Sequence, residues 1–281
     1  MKIAIIGYGF VGEALSKGFN KDVVLKIIDP KLNTGINELA EFNPSVIFIC
    51  VPTPMKDDGS QDVSIVNQVI DEINEFKIQS LLVLKSTILP NHISDISKSH
   101  QKLVYNPEFL REKHAVDDFI NSPLIVFGGE KVHTNQLEDI YKKSTKCICK
   151  EYIHTDIVTS SFIKYSINSF LALKVTFFNE LKDLYDISEG SDTWINFISY
   201  LSTDKSIGDS HMNVPGHDGR KGFGGACLPK DSSAFETFSR QKKKPLKLLK
   251  KAIKINNTIR SKYNKSTKRE LDQNINFNGD K

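Results

Sequence analysis

The sequence predicts an α/β fold, an N-terminal doubly wound parallel sheet followed by an all-α domain. Three observations carry that expectation. Residues 2–6 are an apolar, β-prone run that leads straight into Gly7-Tyr8-Gly9-Phe10-Val11-Gly12 and then into a helical pattern through Phe19. Strand-like runs at 23–29, 46–51, 81–87, 102–105 and 124–128 alternate with amphipathic stretches such as 63–76, which calls for a parallel sheet with helices on both faces. Beyond about residue 152 the pattern changes to long helical periods without a convincing strand. We therefore place a first domain at 1–152, a helical domain at 153–265 and a polar tail at 266–281.

The first strand, turn and helix form a dinucleotide fingerprint in its proper context. Gly7 makes the tight turn, Gly9 lets backbone amides approach a pyrophosphate, Gly12 allows close helix packing, and Phe10 and Val11 open the helix whose N-terminus faces the phosphates. The run at 23–29 ends in Asp29, where a carboxylate accepts hydrogen bonds from an adenosine ribose and repels a 2′-phosphate. The cofactor expected on this Rossmann-like sheet is NAD.

In such sheets ligands bind beyond the carboxyl ends of the strands. Those ends carry Val51-Pro52-Thr53-Pro54, Lys85-Ser86-Thr87 and Tyr105-Asn106-Pro107-Glu108-Phe109-Leu110-Arg111-Glu112. They are expected to ring a nicotinamide, although each taken alone is also ordinary turn chemistry. Asp62 is placed to cap the helix at 63–76.

In the second region residues 156–185 read as one long helix, on which Lys164 and Asn168 lie four apart and share a face. Such a pair suits holding a developing alkoxide or positioning a water, although taken alone it is more often a solvent-facing pair. Residues 202–225 are glycine-rich and irregular, as a substrate loop would be. They run into Gly222-Phe223-Gly224-Gly225-Ala226-Cys227-Leu228-Pro229-Lys230-Asp231. Pro229 starts a helix well, and a thiol beside a helix N-terminus and a lysine ionises readily and acts as a nucleophile. The alternative is a buried small hydrophobe. A last helix at 245–263 carries Leu249, Ala252, Ile253, Ile255 and Ile259 opposite its lysines and needs a partner; from Lys265 the chain is polar and expected to fray.

Composition sets outer limits. The 281 residues are enough for two cores, and 39% hydrophobic with 26% charged is ordinary for a soluble chain. No run is long and apolar enough for a bilayer and Met1 opens no signal-peptide pattern, so we expect a cytoplasmic protein with no membrane partner. The net charge of +4 comes largely from residues 242–254, which reads as a solvated helix face and not as a nucleic-acid site. Cys50, Cys147, Cys149 and Cys227 are too few for a disulfide framework. Cys147 and Cys149 are expected on one strand face with no further ligands at metal spacing, so no metal site is expected.

Taken together, the glycine fingerprint, Val51-Pro52-Thr53-Pro54 with Asp58-Gly59-Ser60, Lys85-Ser86-Thr87, Asn106 to Glu112, Lys164-x-x-x-Asn168 and the Gly222 to Asp231 segment resemble the UDP-glucose/GDP-mannose dehydrogenase family. The resemblance extends to about Tyr263. It implies four-electron oxidation of a nucleotide sugar with two NAD. Cys227 matches the nucleophile, Lys164 and Asn168 the oxyanion-stabilising pair, and Asp231, Thr87 and Glu112 groups that place or activate water. Glu108, Phe109, Leu110, Arg111 and Glu112 match a substrate loop, to which Lys164, Asn168 and Gly224 add contacts. Thr53, Thr87, Glu112 and Lys230 lie where the family meets NAD. A homodimer through the helix at 245–263 is also implied, and Val214-Pro215-Gly216-His217-Asp218-Gly219 leans toward UDP-glucose.

Two departures stand beside the resemblance. The family usually continues into a third domain that grips the nucleotide diphosphate, and its Asp-x-Arg-Ile-Gly motif reads Asp204-Lys205-Ser206-Ile207-Gly208 here. Both lead us to expect weaker hold on a free nucleotide sugar. The competing readings are a single-step dehydrogenase of the 6-phosphogluconate or 3-hydroxy-acid type, which has no use for Cys227, and a catalytically idle NAD-binding protein.

Overall fold

The computed structural model describes residues 1–277. The chain forms two compact units. The first comprises Met1–Thr53 and Asp62–Lys164; the second comprises Pro54–Gln61 and the chain from Tyr165 onward. The division thus falls within a long helix at 164/165, later than the 152/153 boundary expected, and the short segment after the third strand belongs to the second unit.

In the first unit the order is β1 (Lys2–Ile6), α1 (Phe10–Gly18), β2 (Val24–Ile28), α2 (Glu38–Phe42), β3 (Val46–Ile49), α3 (Ser64–Glu75), β4 (Leu81–Leu84), α4 (Pro90–Ser99), β5 (Leu103–Tyr105), α5 (Ala115–Ile120), β6 (Ile125–Gly129), α6 (Lys131–Ser144) and β7 (Tyr152–Thr155). The helix α7 (Ile157–Asp186) crosses into the second unit. Strand order is β2-β1-β3-β4-β5-β6-β7. Because β1 has β2 on one side and β3 on the other, the chain reverses direction across the sheet there, and the carboxyl ends of β1 and β3 open a crevice.

The central strands read as unbroken apolar runs because both sheet faces are covered. Ala4, Ile6, Ile47, Ile49, Leu82 and Leu84 pack on one face with Val66, Ile70 and Ile73 of α3. Ile3, Ile5, Val46, Phe48, Leu81 and Val83 pack on the other with Leu15 of α1 and Leu137 of α6. The sheet departs from the expectation in one respect: β5 and β6 are antiparallel, and β7 follows β6 in parallel. The strand β7 was not anticipated. It is four residues long with Ile153 exposed, too short and too little alternating to stand out. Cys147 and Cys149 precede it outside any strand, half-buried against the second face.

The second unit adds α8 (Trp194–Leu201), α9 (Leu228–Gln241), α10 (Lys247–Arg260) and α11 (Lys268–Asp272). Phe178, Trp194, Ile198, Met212 and Val214 form its small apolar core, against which Tyr185 and Phe197 stack at 4.8 Å between ring centroids. Residues 202–225 are irregular, as expected. The tail is not frayed up to Phe277. Thr267 and Glu270 close a capping box on α11, Glu270 is fully buried, and Ile275 and Phe277 are buried too. Among the described residues no helix is long and apolar enough to cross a membrane.

Candidate functional site

The fingerprint loop has the shape its glycines demand. Gly7 adopts φ +92°, and a Cβ there would lie 2.8 Å from the Cys50 carbonyl carbon. A Cβ at Gly12 would lie 2.1 Å from the Gly7 oxygen, whereas one at Gly9 would meet nothing within 4 Å. The loop is closed on the protein side and open where a ligand approaches. Gly9 is the N-cap of α1 and no side chain caps that terminus, which suits a pyrophosphate. Asp29 braces the loop: its Oδ2 accepts from the Tyr8 amide at 2.7 Å and its Oδ1 from the Lys31 amide at 2.9 Å. Each carboxylate oxygen keeps a second lone pair for a ribose hydroxyl. Beside α1 a cavity of about 220 Å³ is lined by Phe10, Glu13, Glu112 and His114 among others. The residues present fit a bound dinucleotide.

At the next strand ends, the Thr53 hydroxyl donates to the Thr87 carbonyl at 3.0 Å, and both residues are buried. Beneath them lies a buried polar knot. Asn106 Oδ1 accepts from Lys85 Nζ at 3.0 Å and from the Tyr141 hydroxyl at 2.5 Å, while Asn106 Nδ2 donates to the Val126 carbonyl. Burial pushes the Lys85 ammonium down to about 8 and the Cys50 thiol up to about 12. The knot anchors the start of the loop that follows β5. In that loop the Glu108 carbonyl accepts from Lys164 Nζ at 2.6 Å, Glu108 Oε1 faces the same ammonium at 3.3 Å, and Glu108 Oε2 accepts from the Leu110 amide. Lys164 and Glu108 are 3% and 6% exposed, so the solvent-facing reading of Lys164 fails. The Lys164 ammonium also lies 5.2 Å from the Phe109 ring centroid. Arg111 forks onto Asp118 at 2.7 and 3.0 Å.

In the second unit Cys227 is the N-cap of α9, half-buried, with Pro229 in the first turn. Four residues on, Asp231 is almost fully buried with both oxygens engaged: Oδ2 accepts from Asn168 Nδ2 at 2.7 Å and Oδ1 from Lys230 Nζ at 2.5 Å. Asn168 is therefore a buried partner of the helix that carries the thiol. Gly224 has no room for a side chain, since a Cβ would lie 2.2 Å from Arg260 Nη2. Ser206 folds back onto Asp204 through its amide and hydroxyl, and Lys174 holds the following Ile207 carbonyl.

Within the first unit the structure thus gathers Lys164 with Glu108 and Phe109, Thr53 with Thr87, and Asp29 with the fingerprint; within the second it gathers Asn168, Lys230 and Asp231 one helical turn from Cys227. Arg111 pairs with Asp118. Sequence reasoning missed Tyr141, Asn256, Arg260 and Glu270. Only Glu270 left a local signal, the Thr267-x-x-Glu270 spacing of a capping box.

Comparison with known proteins gives a consistent picture. Sequence models of the UDP-glucose/GDP-mannose dehydrogenase family match residues 31–145 as its NAD binding domain and 158–258 as its central domain. A UDP-glucose 6-dehydrogenase of Rickettsia bellii is 36% identical over 300 residues, covering 91% of this chain and 67% of the relative. One of Rickettsia felis is 37% identical over 231 residues, covering 78% and 49%. The chain thus spans about half to two thirds of the length of these relatives. A UDP-glucose dehydrogenase structure from Pyrobaculum islandicum superposes with a TM-score of 0.77 at 25% identity, covering 92% of this chain and 68% of that one. A 3-hydroxyisobutyrate dehydrogenase from Mycobacterium tuberculosis shares the fold, with a TM-score of 0.67 at 15% identity over 89% and 90% of the two chains.

Proposed function

Because the chain belongs to the UDP-glucose/GDP-mannose dehydrogenase family, we propose that it oxidises the primary alcohol of a nucleotide sugar, UDP-glucose first among them, to the carboxylate through Cys227 with two NAD per turnover. The observation that carries this reading is the half-buried Cys227 at the N-terminus of α9, backed by the buried Asp231, Asn168 and Lys230. Bound NAD, held by the Gly7 to Gly12 loop and Asp29, supplies the hydride acceptor in each oxidation.

In the first oxidation the alcohol loses a hydride and a proton and becomes an aldehyde. The Cys227 thiolate adds to that carbonyl, a C–S bond forms, and the oxygen takes a proton to give a thiohemiacetal. Loss of a second hydride and that proton leaves a thioester. Water attacks it with Glu112 as base, the C–S bond breaks, and the carboxylate departs while the thiolate is restored. Lys164 and Asn168 stabilise the oxyanions of these steps, and Asp231 with Thr87 places water. Glu108 to Glu112 and Gly224 line the sugar. Lys164 comes to this role already engaged with Glu108, so substrate must share that ammonium. A second copy of the chain pairs through α10, where Leu248 is exposed.

The test is stoichiometric. NADH absorbance should show two NADH formed per UDP-glucose consumed, and Cys227→Ser should abolish turnover while leaving NAD binding intact. The likeness of fold to 3-hydroxyisobutyrate dehydrogenase keeps a single-step oxidation as the second reading. One NADH per substrate, with Cys227→Ser fully active, decides for it.

A further inference from the structure

Side chains from elsewhere in the second unit hold the backbone of the loop that delivers Cys227. Gly222 donates its amide to Asn179 Oδ1 at 2.9 Å. The Asn256 side chain pairs with both backbone groups of Phe223, accepting at 2.6 Å and donating at 2.9 Å. The next two residues rest on an ion pair that the tail provides. Arg260 is 2% exposed; its Nη1 donates to Asp218 Oδ2 at 2.8 Å and its Nη2 to Glu270 Oε1 at 2.5 Å. Glu270 Oε1 also accepts from the Gly225 amide at 3.3 Å, and its Oε2 from the Thr267 amide at 2.7 Å. A Cβ at Gly224 would fall 2.7 Å from the same Oε1.

One carboxylate therefore touches the cysteine loop, the end of α10 and the start of α11. A buried charge is costly unless it is paired and hydrogen-bonded, and Glu270 is both. Burial opposes its ionisation, but the Thr267 amide and the Arg260 charge outweigh burial and hold the carboxyl below its ordinary range. The same tail continues into Gln273 and Asn274, which accept from the Met55 amide at 3.1 Å and donate to the Met55 carbonyl at 2.9 Å. Met55 lies in the Pro54–Gln61 segment, which also meets α9 through Ser233 and Gly59.

We propose that Glu270 is a positioning residue for Cys227: bound to Arg260, it forms a strap that fixes the Gly224-Gly225 backbone and so sets where the thiol stands at the start of α9. This rests on the reading of Cys227 as the nucleophile, but its test does not need the sugar reaction. The rate of Cys227 alkylation by iodoacetamide is measured in the full chain, with the modified peptide located by mass spectrometry, for wild type, Glu270→Gln and Thr267→Ala. Glu270→Gln leaves a near-isosteric side chain without the charge, and Thr267→Ala loosens α11 and the hold on Glu270 while both charges of the ion pair remain.

The expected result is alkylation about fivefold faster in Glu270→Gln and about twofold faster in Thr267→Ala, with NAD affinity unchanged in both. With UDP-glucose, kcat should fall about tenfold in Glu270→Gln at an unchanged KM for NAD. Should Glu270→Gln fail to fold, Thr267→Ala alone decides. Alkylation at the wild-type rate or slower overturns the assignment. If wild type oxidises no nucleotide sugar, the proposed function falls while the alkylation rates still test the strap.

Discussion

The two units place their candidate site residues by different means. In the first, Gly7, Asp29, Thr53, Thr87 and Glu108 all follow the carboxyl ends of strands β1 to β5, so a buried hydrogen-bonded ladder puts five residues along one edge. In the second, the segment before Cys227 is irregular, and side chains distant in sequence hold its backbone: Asn179, Asn256 and Glu270 lie 33 to 45 residues from the groups they bond. A ladder-placed site depends on the sheet as a whole. A side-chain-placed site depends on a few named groups, and single substitutions should reach it without disturbing the other.

The sharpest way to break that comparison is Gly12→Ala. The added methyl would sit 2.1 Å from the Gly7 oxygen, so the turn must open. Isothermal titration should show NAD affinity at least about 100-fold weaker, near 3 kcal/mol, while Cys227 alkylation stays at the wild-type rate. Next in size is Asn256→Ala. It leaves the Phe223 amide and carbonyl without their partner in a buried setting, at a cost of about 2 to 4 kcal/mol. The expected outcome is faster alkylation at Cys227 and about tenfold lower turnover, with NAD binding unchanged. If Asn256→Ala weakened NAD as much as Gly12→Ala does, the two means of placement would not be separable.

The same contrast explains what could be read from the sequence. The sheet's first five strands and the fingerprint are local: period, glycines and acid lie within thirty residues, and each element's place follows from them. The strand β7 escaped because Tyr152 to Thr155 is short, with Ile153 exposed. Lys164 and Asn168 were identifiable as a pair, yet their burial was not, because it depends on Glu108 and Asp231, 56 and 63 residues away. The tail was misread for the same reason. Its polar composition suggests fraying, but Glu270 gains a buried guanidinium only once α10 is folded beside it. Arg111 makes the same point: its motif suggests a substrate contact, and the Asp118 carboxylate that it also meets lies outside that motif, seven residues on.

The smallest expected effect probes the ladder-placed unit from inside. Lys85 is buried beneath the strand ends and hydrogen-bonded to Asn106, and burial lowers its ammonium to about 8 against 10.5 in an ordinary setting. Between those values the folded chain has released the proton and the unfolded chain still carries it. Unfolding therefore takes up a proton, and stability rises with pH across that window by about 1 kcal/mol per pH unit. The buried Cys50 acts in the opposite sense, because its thiol stays protonated to about 12 when folded and ionises near 9 when unfolded. Comparing wild type with Lys85→Met cancels most of that contribution, since both chains carry Cys50. Urea unfolding at pH 7.5, 8.5 and 9.5 should show wild type gaining on Lys85→Met at each step, because methionine fills the space without a proton to lose. A difference that stays flat from pH 7.5 to 9.5 would mean that Lys85 keeps its charge in the fold. The knot at Asn106 would then be held by charge-assisted hydrogen bonds from the Lys85 ammonium, and side chains would weigh as heavily in placing the loop of the first unit as they do in the second.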